Sequence, residues 1–196
     1  MSVKPRGSDS DLAEVLVSSQ TVYRGKLLHV REDVVRLPDG GTAGREWVVH
    51  PGAVMILPVL PSGELVMERQ YRYPLGRDFL EFPAGKIDAG EDPLLTGRRE
   101  LLEETGYTAE RWEHLATLHP VIGYSNERIE MFLAEGLQRS ERRLDDGEFL
   151  EVFTTTLEQA ARWVEEGVIT DMKTVAGVLW LERLRARGPG AAPRRP

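Results

Sequence analysis

Residues 85–107 read GKIDAGEDPLLTGRRELLEETGY, and this stretch contains the best-defined helix of the chain. Asp92 is a suitable N-cap, Pro93 fits the first helical position, and Gly106 provides the C-terminal stop. At about 100° per residue the helix has two distinct sides. The acidic side carries Glu100, Glu103 and Glu104, and the apolar side carries Leu94, Leu95, Leu101 and Leu102. The spacing predicts an amphipathic helix over 93–105.

The acidic face has two interpretations. Glutamates three and four positions apart repel one another by about 0.2–0.5 kcal/mol per pair, and a divalent cation would reverse that sign. Mg²⁺ and Mn²⁺ suit such a face because they prefer oxygen ligands and keep waters that bridge to phosphates. The alternative is an ordinary solvated face without a ligand. These three residues alone leave both interpretations open.

Strand and helix signals follow one another along the rest of the chain without regular β–α–β order. From about Leu12 to Leu80 the sequence is rich in β-branched residues, with turn signals at PDGG and PSG. Strand-like residues return at 113–118, 128–134 and 149–154, and helical spacing is found at 157–165 and 170–185. This order favours an α+β fold over a doubly wound sheet.

Composition excludes several classes of chemistry. The 196 residues include no cysteine, which rules out disulfides, a cysteine nucleophile and thiolate metal sites. The four histidines are scattered, so any metal is expected to have oxygen ligands. A net charge of −7 argues against broad nucleic-acid binding. Since no apolar run is long enough to span a membrane and residues 1–10 do not resemble a signal peptide, we expect a cytoplasmic protein without membrane or nucleic-acid partners.

The charged residues around the helix form a more specific pattern. Gly85 is followed after five residues by Glu91, and after seven more by RELLEETGY. This resembles the signature of the Nudix hydrolases, Gly-x5-Glu-x7-Arg-Glu-U-x-Glu-Glu-x-Gly-U, in which U is a bulky apolar residue. Tyr107 stands where an aliphatic residue is usual. The resemblance implies an α/β/α sandwich with a mixed β-sheet, and hydrolysis of a nucleoside diphosphate linked to another moiety.

The same resemblance implies a metal site. Glu100 and Glu104 resemble the principal ligands of the family, Glu103 a third ligand, and the backbone carbonyl of Ala84 an additional one. Mg²⁺ is the expected cofactor, and Mn²⁺ is the expected substitute.

Further catalytic residues are expected beside the metal ligands. Glu91 and Arg99 resemble the ion pair that ties the loop to the helix, although the alternative is that both are merely solvated. In the ADP-ribose pyrophosphatase branch the general base is commonly a glutamate from a late loop. The segment DGEFLEV resembles that loop and points to Glu148, with Asp146 and Glu151 as alternatives.

Segments between about 45 and 155 resemble the ADP-ribose and nucleotide-sugar branch. They are GAV at 52–54, ERQYR at 68–72 and EFPAG at 81–85. Arg72 resembles the arginine that contacts substrate phosphates, with a surface strand arginine as the alternative. Glu81 would hold a metal-bound water or a substrate hydroxyl, or pair with Arg72. Trp47 would stack on the base of the substrate, or else pack in the core.

One position departs from this branch. Relatives specific for ADP-ribose typically have a proline sixteen residues after the last glycine of the signature, where this chain has Ile122. Gly123, Ser125 and Glu127 still resemble the Gly-x-Ser-x-Glu part of that loop, and Glu127 would contact ribose or phosphate. The resemblance implies cleavage of ADP-ribose to AMP and ribose 5-phosphate, with GDP-mannose, ADP-glucose or another nucleoside diphosphate sugar as the alternative.

Three parts are expected along the chain: an N-terminal strand-rich arm over 1–50, a Nudix domain over 51–186 and a disordered tail over 187–196. N-terminal strands often pair across a dimer in this branch, so we expect a homodimer in which Trp47 or Arg45 reaches the partner's active site. A non-catalytic, ligand-binding Nudix-like module is a further hypothesis. Such modules usually lose glutamates of the signature, and all of them are present here.

Overall fold

A computed structural model describes residues 11–142, 144, 147 and 149–187 of the chain. Asp146, Glu148 and all of the expected tail except Arg187 lie outside the described residues. The elements follow in this order: β1 (Val15–Arg24), β2 (His29–Arg36), β3 (Thr42–Val48), β4 (Ala53–Val59), β5 (Leu65–Arg72), a 3₁₀ turn (Tyr73–Leu75), β6 (Arg77–Glu81), β7 (Ala84–Lys86), α1 (Pro93–Thr105), β8 (Tyr107–Leu118), β9 (Ile129–Arg139), β10 (Leu150–Thr155), α2 (Leu157–Glu165) and α3 (Met172–Ala186).

The N-terminal strands form a small antiparallel sheet in the order β1-β2-β3. Val15 of β1 lies opposite Arg36 of β2, and Val30 of β2 lies opposite Val48 of β3. The chain turns between β2 and β3 at Gly40, whose positive φ of 89° favours glycine. Residues 11–50 form one compact unit together with the loop 121–127, and the other described residues form a second unit.

The second unit is built on a mixed sheet in the order β10-β5-β4-β9-β8, with β6 paired to β5 and β7 paired to β4. The β4–β9 pair is parallel, and the other pairs are antiparallel. β4 lies at the centre and is buried on both faces, as expected for a strand covered by helices on two sides.

Alternate residues of β4 pack against different helices. Val54 and Ile56 share a core cluster with Leu101 of α1. Met55 and Leu57 belong to the other cluster, which contains residues of α2 and α3. The sheet is therefore sandwiched between α1 on one face and α2 with α3 on the other, and the predicted α+β sandwich with a mixed sheet is confirmed.

The predicted helix is confirmed, with a different buried side. The Asp92 side chain accepts hydrogen bonds from two backbone N–H groups of the first turn, and Gly106 ends α1 with φ of 71°. Leu95, predicted on the apolar side, has 54% of its surface exposed. Leu101, also predicted on the apolar side, is fully buried. α1 packs through it and through the small Gly97, where an added Cβ would lie 3.3 Å from the Trp112 ring.

Two boundaries also differ from the prediction. The resemblance to the family signature implies a loop over 85–90 before the helix, but Gly85 and Lys86 belong to β7, because they pair with the edge of β4. The last helix begins at Met172 rather than Thr170, because Asp171 is its N-cap. Among the described residues, no helix combines the length and the apolar character needed to cross a bilayer.

Candidate active site

The acidic face of α1 lies directly against the backbone of β7. Glu104 is only 3% exposed, and its carboxylate accepts a hydrogen bond from the Ala84 N–H at 3.0 Å. A Cβ added at Gly85 would overlap the carboxylate of Glu100. Glycine is therefore needed at the position that opens the sequence pattern, because the glutamate occupies the space that a side chain would take.

Arg99 is at the centre of the charged cluster on this helix. Its Nη1 donates to Glu100 and to Glu103, each at 2.9 Å. Its Nη2 and Nε donate to the two carboxylate oxygens of Glu91 at 3.1 and 3.2 Å. The Glu91–Arg99 pair expected from the sequence is thus present, and the same guanidinium also bridges two of the predicted metal ligands.

This network fixes the ionisation of Glu91. Hydrogen bonds from Arg99, and then from the Thr96 hydroxyl, lower the pKa of Glu91 from 4.5 to about 2. The pKa of Arg99 is raised, chiefly by its hydrogen bonds with Glu91. Glu91 lies just before the helix, and it therefore anchors the preceding loop to α1 as a permanent anion at neutral pH.

A second charged cluster surrounds Glu81 at the end of β6. Arg72 Nε and Nη2 each donate to one oxygen of this carboxylate at 2.7 Å, in a bidentate pair. Lys173 from the start of α3 binds the same carboxylate and also Asp171, at 2.9 Å. Glu81 is 2% exposed, and Glu68, which is completely buried, lies opposite it in the β5–β6 register.

Opposing effects act on the ionisation of Glu81. Burial raises its pKa, but the hydrogen bonds from Arg72 and the positive charge of Lys173 outweigh burial, so that the pKa is lowered. The hydrogen bonds with Glu81 raise the pKa of Arg72. A cavity of about 320 Å³ adjoins this cluster and is lined by Arg72, Leu75, Phe79, Glu81, Thr170, Asp171, Met172 and Lys173.

Trp47 and the loop 121–127 lie together in the first unit. Trp47 Nε1 donates to Asp33 at 2.8 Å, and the Arg31 guanidinium lies 5.9 Å from the ring centroid. The next residue, Val48, is joined to this loop by two hydrogen bonds. Its N–H donates to the Tyr124 carbonyl, and its carbonyl accepts from the Ser125 hydroxyl. Two segments that the sequence suggested separately for substrate contact are therefore neighbours.

The remaining predicted residues of this unit are also paired. The Glu127 carboxylate lies 3.9 Å from His50 Nδ1. Arg45 forms an ion pair with Glu14. Ile122, the residue that departs from the branch pattern, is 84% exposed.

The loop expected to carry the general base starts and ends close to the C-terminal end of α1. The Ser140 N–H donates to the Gly106 carbonyl at 2.7 Å, and Arg142 donates to the Leu150 carbonyl at 3.0 Å. Glu148 and its alternative Asp146 lie outside the described residues. The other alternative, Glu151, is on β10 and pairs with Arg69 at 2.6 Å.

Two protein-family models match this chain, one over its N-terminal strands and one over most of the remaining residues. The NUDIX domain model matches residues 49–176, which is more than half of the chain. The chain belongs to the Nudix family. A second model, the nucleoside diphosphate sugar hydrolase N-terminal domain, matches residues 14–48. The range matched by this second model includes all three strands of the N-terminal sheet.

Curated relatives extend over most of the chain. The ADP-ribose pyrophosphatase of Bacillus subtilis is 39% identical over 87% of this chain and 94% of its own length. The methanol dehydrogenase activator of Bacillus methanolicus is also 39% identical, over 86% of this chain and 92% of its own length. The ADP-ribose pyrophosphatase of Mycobacterium tuberculosis is 40% identical, over 83% of this chain and 80% of its own length. A crystal structure of an ADP compounds hydrolase has a TM-score of 0.81 at 25% identity and covers 92% of this chain and 99% of its own. The chain is a Nudix hydrolase.

Nudix hydrolases generally use a divalent metal, and the donor chemistry on α1 fits one. Among the described residues, no three acidic or imidazole groups converge as a ready metal cluster, and Arg99 bridges Glu100 and Glu103. The groups present are carboxylates, which hard divalent cations prefer. Carboxylates also outnumber the single guanidinium that holds them, so an added cation would relieve repulsion within the cluster.

Lys173 and Asp171 are not among the site residues predicted from the sequence. Their signal was present in the motif DMKT, in which an N-cap aspartate precedes a lysine and a threonine. The Asp171 carboxylate caps α3 by accepting from the Thr174 N–H at 3.0 Å, and it also binds Lys173. The connection of this lysine to Glu81 depends on the tertiary fold and is not visible in the sequence.

Proposed function

We propose that this Nudix hydrolase cleaves the pyrophosphate bond of ADP-ribose, giving AMP and ribose 5-phosphate, with Mg²⁺ as its metal and Mn²⁺ as a substitute. The observation that carries the proposal is the gathering of carboxylates on α1 against the Ala84–Gly85 backbone, around a single guanidinium. Relatives named ADP-ribose pyrophosphatase, at 39% and 40% identity, support the choice of substrate.

The predicted metal ligands and the predicted general base have separate tasks in this reaction. Glu100, Glu103, Glu104 and the Ala84 carbonyl would hold the metal. When bound, the metal supplies charge neutralisation at the phosphates and lowers the pKa of a water. Glu148 takes a proton from the attacking water as its oxygen bonds to phosphorus, and the bridging P–O bond breaks with its electrons passing to the leaving phosphate.

Substrate-holding residues complete the proposal. Arg72 binds the phosphates through its planar guanidinium, which matches paired oxygens. Trp47 stacks on the base, and Glu127 contacts ribose or phosphate. The proximity of the Trp47 strand to the loop 121–127 supports a shared recognition role for these two residues.

A substrate panel tests the activity. Phosphate-coupled detection with Mg²⁺ would compare ADP-ribose, ADP-glucose, GDP-mannose, NADH and nucleoside triphosphates, with Glu104→Gln as the control for contaminating hydrolases. We expect ADP-ribose to have the highest kcat/KM and the variant to be inactive. A faster sugar nucleotide would replace ADP-ribose in the proposal. An inactive wild type would favour the ligand-binding module instead.

We also propose a homodimer formed through the N-terminal sheet. β1 is an edge strand whose apolar side chains are exposed on both of its faces, including Leu16 at 59%, Val17 at 51% and Val22 at 51%. Large exposed apolar patches typically mark interaction surfaces. Location in the cytoplasm and the absence of nucleic-acid and membrane partners stay predictions from the sequence.

Sedimentation tests the dimer. We expect a species of twice the 22.0 kDa chain mass at micromolar concentration. The double substitution Leu16→Glu and Val22→Glu should give the single-chain mass, since it places charges on both faces of β1. Leu179→Glu is the matched control, because Leu179 is also an exposed leucine, at 53%, but lies on α3. A wild type of single-chain mass would contradict the proposal.

A further inference from the structure

Glu81 is held by two cations that differ in their surroundings. Lys173 has 14% of its side chain exposed, whereas Arg72 has 40%. Both bind the same carboxylate, which is 2% exposed. Both cations line the cavity of about 320 Å³ beside the cluster, and Arg72 is the more open of the two.

Lys173 is fixed in place by the first turn of α3. Its Nζ donates to Asp171 at 2.9 Å, and Asp171 in turn accepts from the Thr174 N–H and hydroxyl at 3.0 and 2.6 Å. The Thr174 hydroxyl accepts from the Phe82 N–H at 3.2 Å, immediately after Glu81. These bonds tie the start of α3 to the end of β6, so that Lys173 is held beside the carboxylate.

We propose that Lys173 is a positioning residue that keeps the charge of Glu81 compensated, so that Arg72 can exchange this carboxylate for the diphosphate of the substrate. The inference rests on the proposed role of Arg72 in binding phosphates. It assigns to Lys173 no contact with the substrate. Lys173 acts through Arg72, and its effect is on binding rather than on the chemical step.

The physical argument is the cost of an uncompensated buried charge. Removing one partner of a buried ion pair is strongly destabilising, because the remaining charge is neither hydrated nor neutralised. Glu68, buried directly across the β5–β6 pair, adds a second carboxylate near Glu81. Without Lys173, departure of Arg72 would take away the second of the two cations that bind the Glu81 carboxylate. Arg72 would then remain bound to Glu81, and the substrate would bind weakly.

Steady-state kinetics of Lys173→Met test the inference. We expect KM for ADP-ribose to rise about tenfold and kcat to change by less than about threefold. Lys173→Arg keeps the charge and should restore most of the binding. Arg77→Met is the matched control. Arg77 lies on β6 and binds Thr170 at 2.7 Å, so this substitution removes a neighbouring cation that does not contact Glu81. A similar rise of KM in this control would overturn the inference, as would a loss confined to kcat.

A double-mutant cycle separates positioning from direct contact. In a Glu81→Gln background no carboxylate charge remains to be compensated at this position, so adding Lys173→Met should leave KM unchanged within about twofold. The double variant also lacks the unpaired charge that would threaten folding of the single variant. An undiminished effect of Lys173→Met in that background would show that Lys173 binds the substrate itself and would overturn the inference.

Binding of ADP, measured by calorimetry on the same variants, gives a readout without turnover. We expect the dissociation constant for ADP to follow the same pattern as KM. If the wild type fails to hydrolyse ADP-ribose but Lys173→Met still weakens ADP binding about tenfold, the proposed activity fails and the role of Lys173 stands. If hydrolysis proceeds and Lys173→Met leaves ADP binding unchanged, the role of Lys173 fails and the activity stands.

Discussion

The two charged clusters of the Nudix unit differ in their balance of charge. Around Arg99, three carboxylates share one guanidinium, and the buried Glu104 lies on the same helix. Around Glu81, two cations meet one carboxylate, with Asp171 and Glu68 close by. The first cluster therefore lacks positive charge, whereas the second is close to neutral.

This difference distinguishes two ways in which a protein handles phosphate. A surplus of carboxylates is costly unless a cation joins them, so the cluster on α1 is suited to receiving a metal. In the cluster around Glu81, one cation can leave the carboxylate and bind a phosphate, provided that the second cation remains bound to Glu81. The following experiments test the two clusters separately.

The largest effect is expected from Gly85→Ala. The added Cβ would displace the Glu100 carboxylate, which is the flexible end of a side chain, so the free energy of unfolding should change by less than about 1 kcal/mol. Activity should nevertheless fall about a hundredfold, because a predicted metal ligand is moved. Steady-state kinetics and denaturant unfolding of the same preparation would measure both quantities.

Gly44→Ala is the control for this experiment. Gly44 lies on β3, and an added Cβ there would meet no atom within 4 Å. Its activity should equal that of the wild type. Full activity of Gly85→Ala would remove Glu100 from the set of metal ligands.

Arg99→Gln should reveal the surplus of negative charge. Once the guanidinium is gone and no metal is bound, the three carboxylates that Arg99 binds in the wild type would repel one another. We expect the free energy of unfolding to fall by about 1–3 kcal/mol. Mg²⁺ should recover part of this loss, because ligands that bind the folded state stabilise it. Thermal unfolding with EDTA and with Mg²⁺ would measure the difference.

Arg98→Gln is the matched control, since Arg98 is the neighbouring arginine and is exposed. It should change stability by less than about 0.5 kcal/mol. A loss in Arg99→Gln that Mg²⁺ does not reduce would argue against a cation site at this cluster.

The smallest effect concerns acid stability. The pKa of Glu91 is lowered from 4.5 to about 2 in the folded chain, so its contribution is complete above pH 4.5 and is lost as the pH falls towards 2. Solvent screening limits that contribution to about 1 kcal/mol. The difference in the free energy of unfolding between the wild type and Glu91→Gln should therefore shrink from pH 6 to pH 3. A difference that is constant over this range would mean that Arg99 does not depress this pKa.

Local signals in the sequence were sufficient to predict where α1 begins and ends. Asp92, Pro93 and Gly106 act within one or two turns of the helix, and the structure places all three as the caps require. The burial of Leu95 was predicted wrongly, because a helix wheel assumes that large apolar residues face the core. Here Gly97 allows close packing against Trp112, and this rotates the buried side away from Leu95.

Contacts between distant segments were the part that the sequence did not reveal. Lys173 and Glu81 are 92 positions apart, and each has an ordinary local explanation as a helix residue and a strand residue. The neighbourhood of Val48 and Ser125 is similar, because a loop joins a strand across 77 positions. The Glu91–Arg99 pair was expected from the resemblance to the family signature, and its partners are only eight positions apart at the start of one helix.

The parallel pairing of β4 with β9 also has a consequence for how the chain folds during its synthesis. Ala53 pairs with Ile129, and β7, α1 and β8 all lie between them in the sequence. A ribosome adds about 5–20 residues per second, so the central strand waits several seconds for its parallel neighbour. During that time β4, apolar on both faces, has no complete partner. Helix α1 therefore belongs to a unit that closes late, and we expect aggregation of nascent chains to begin at β4.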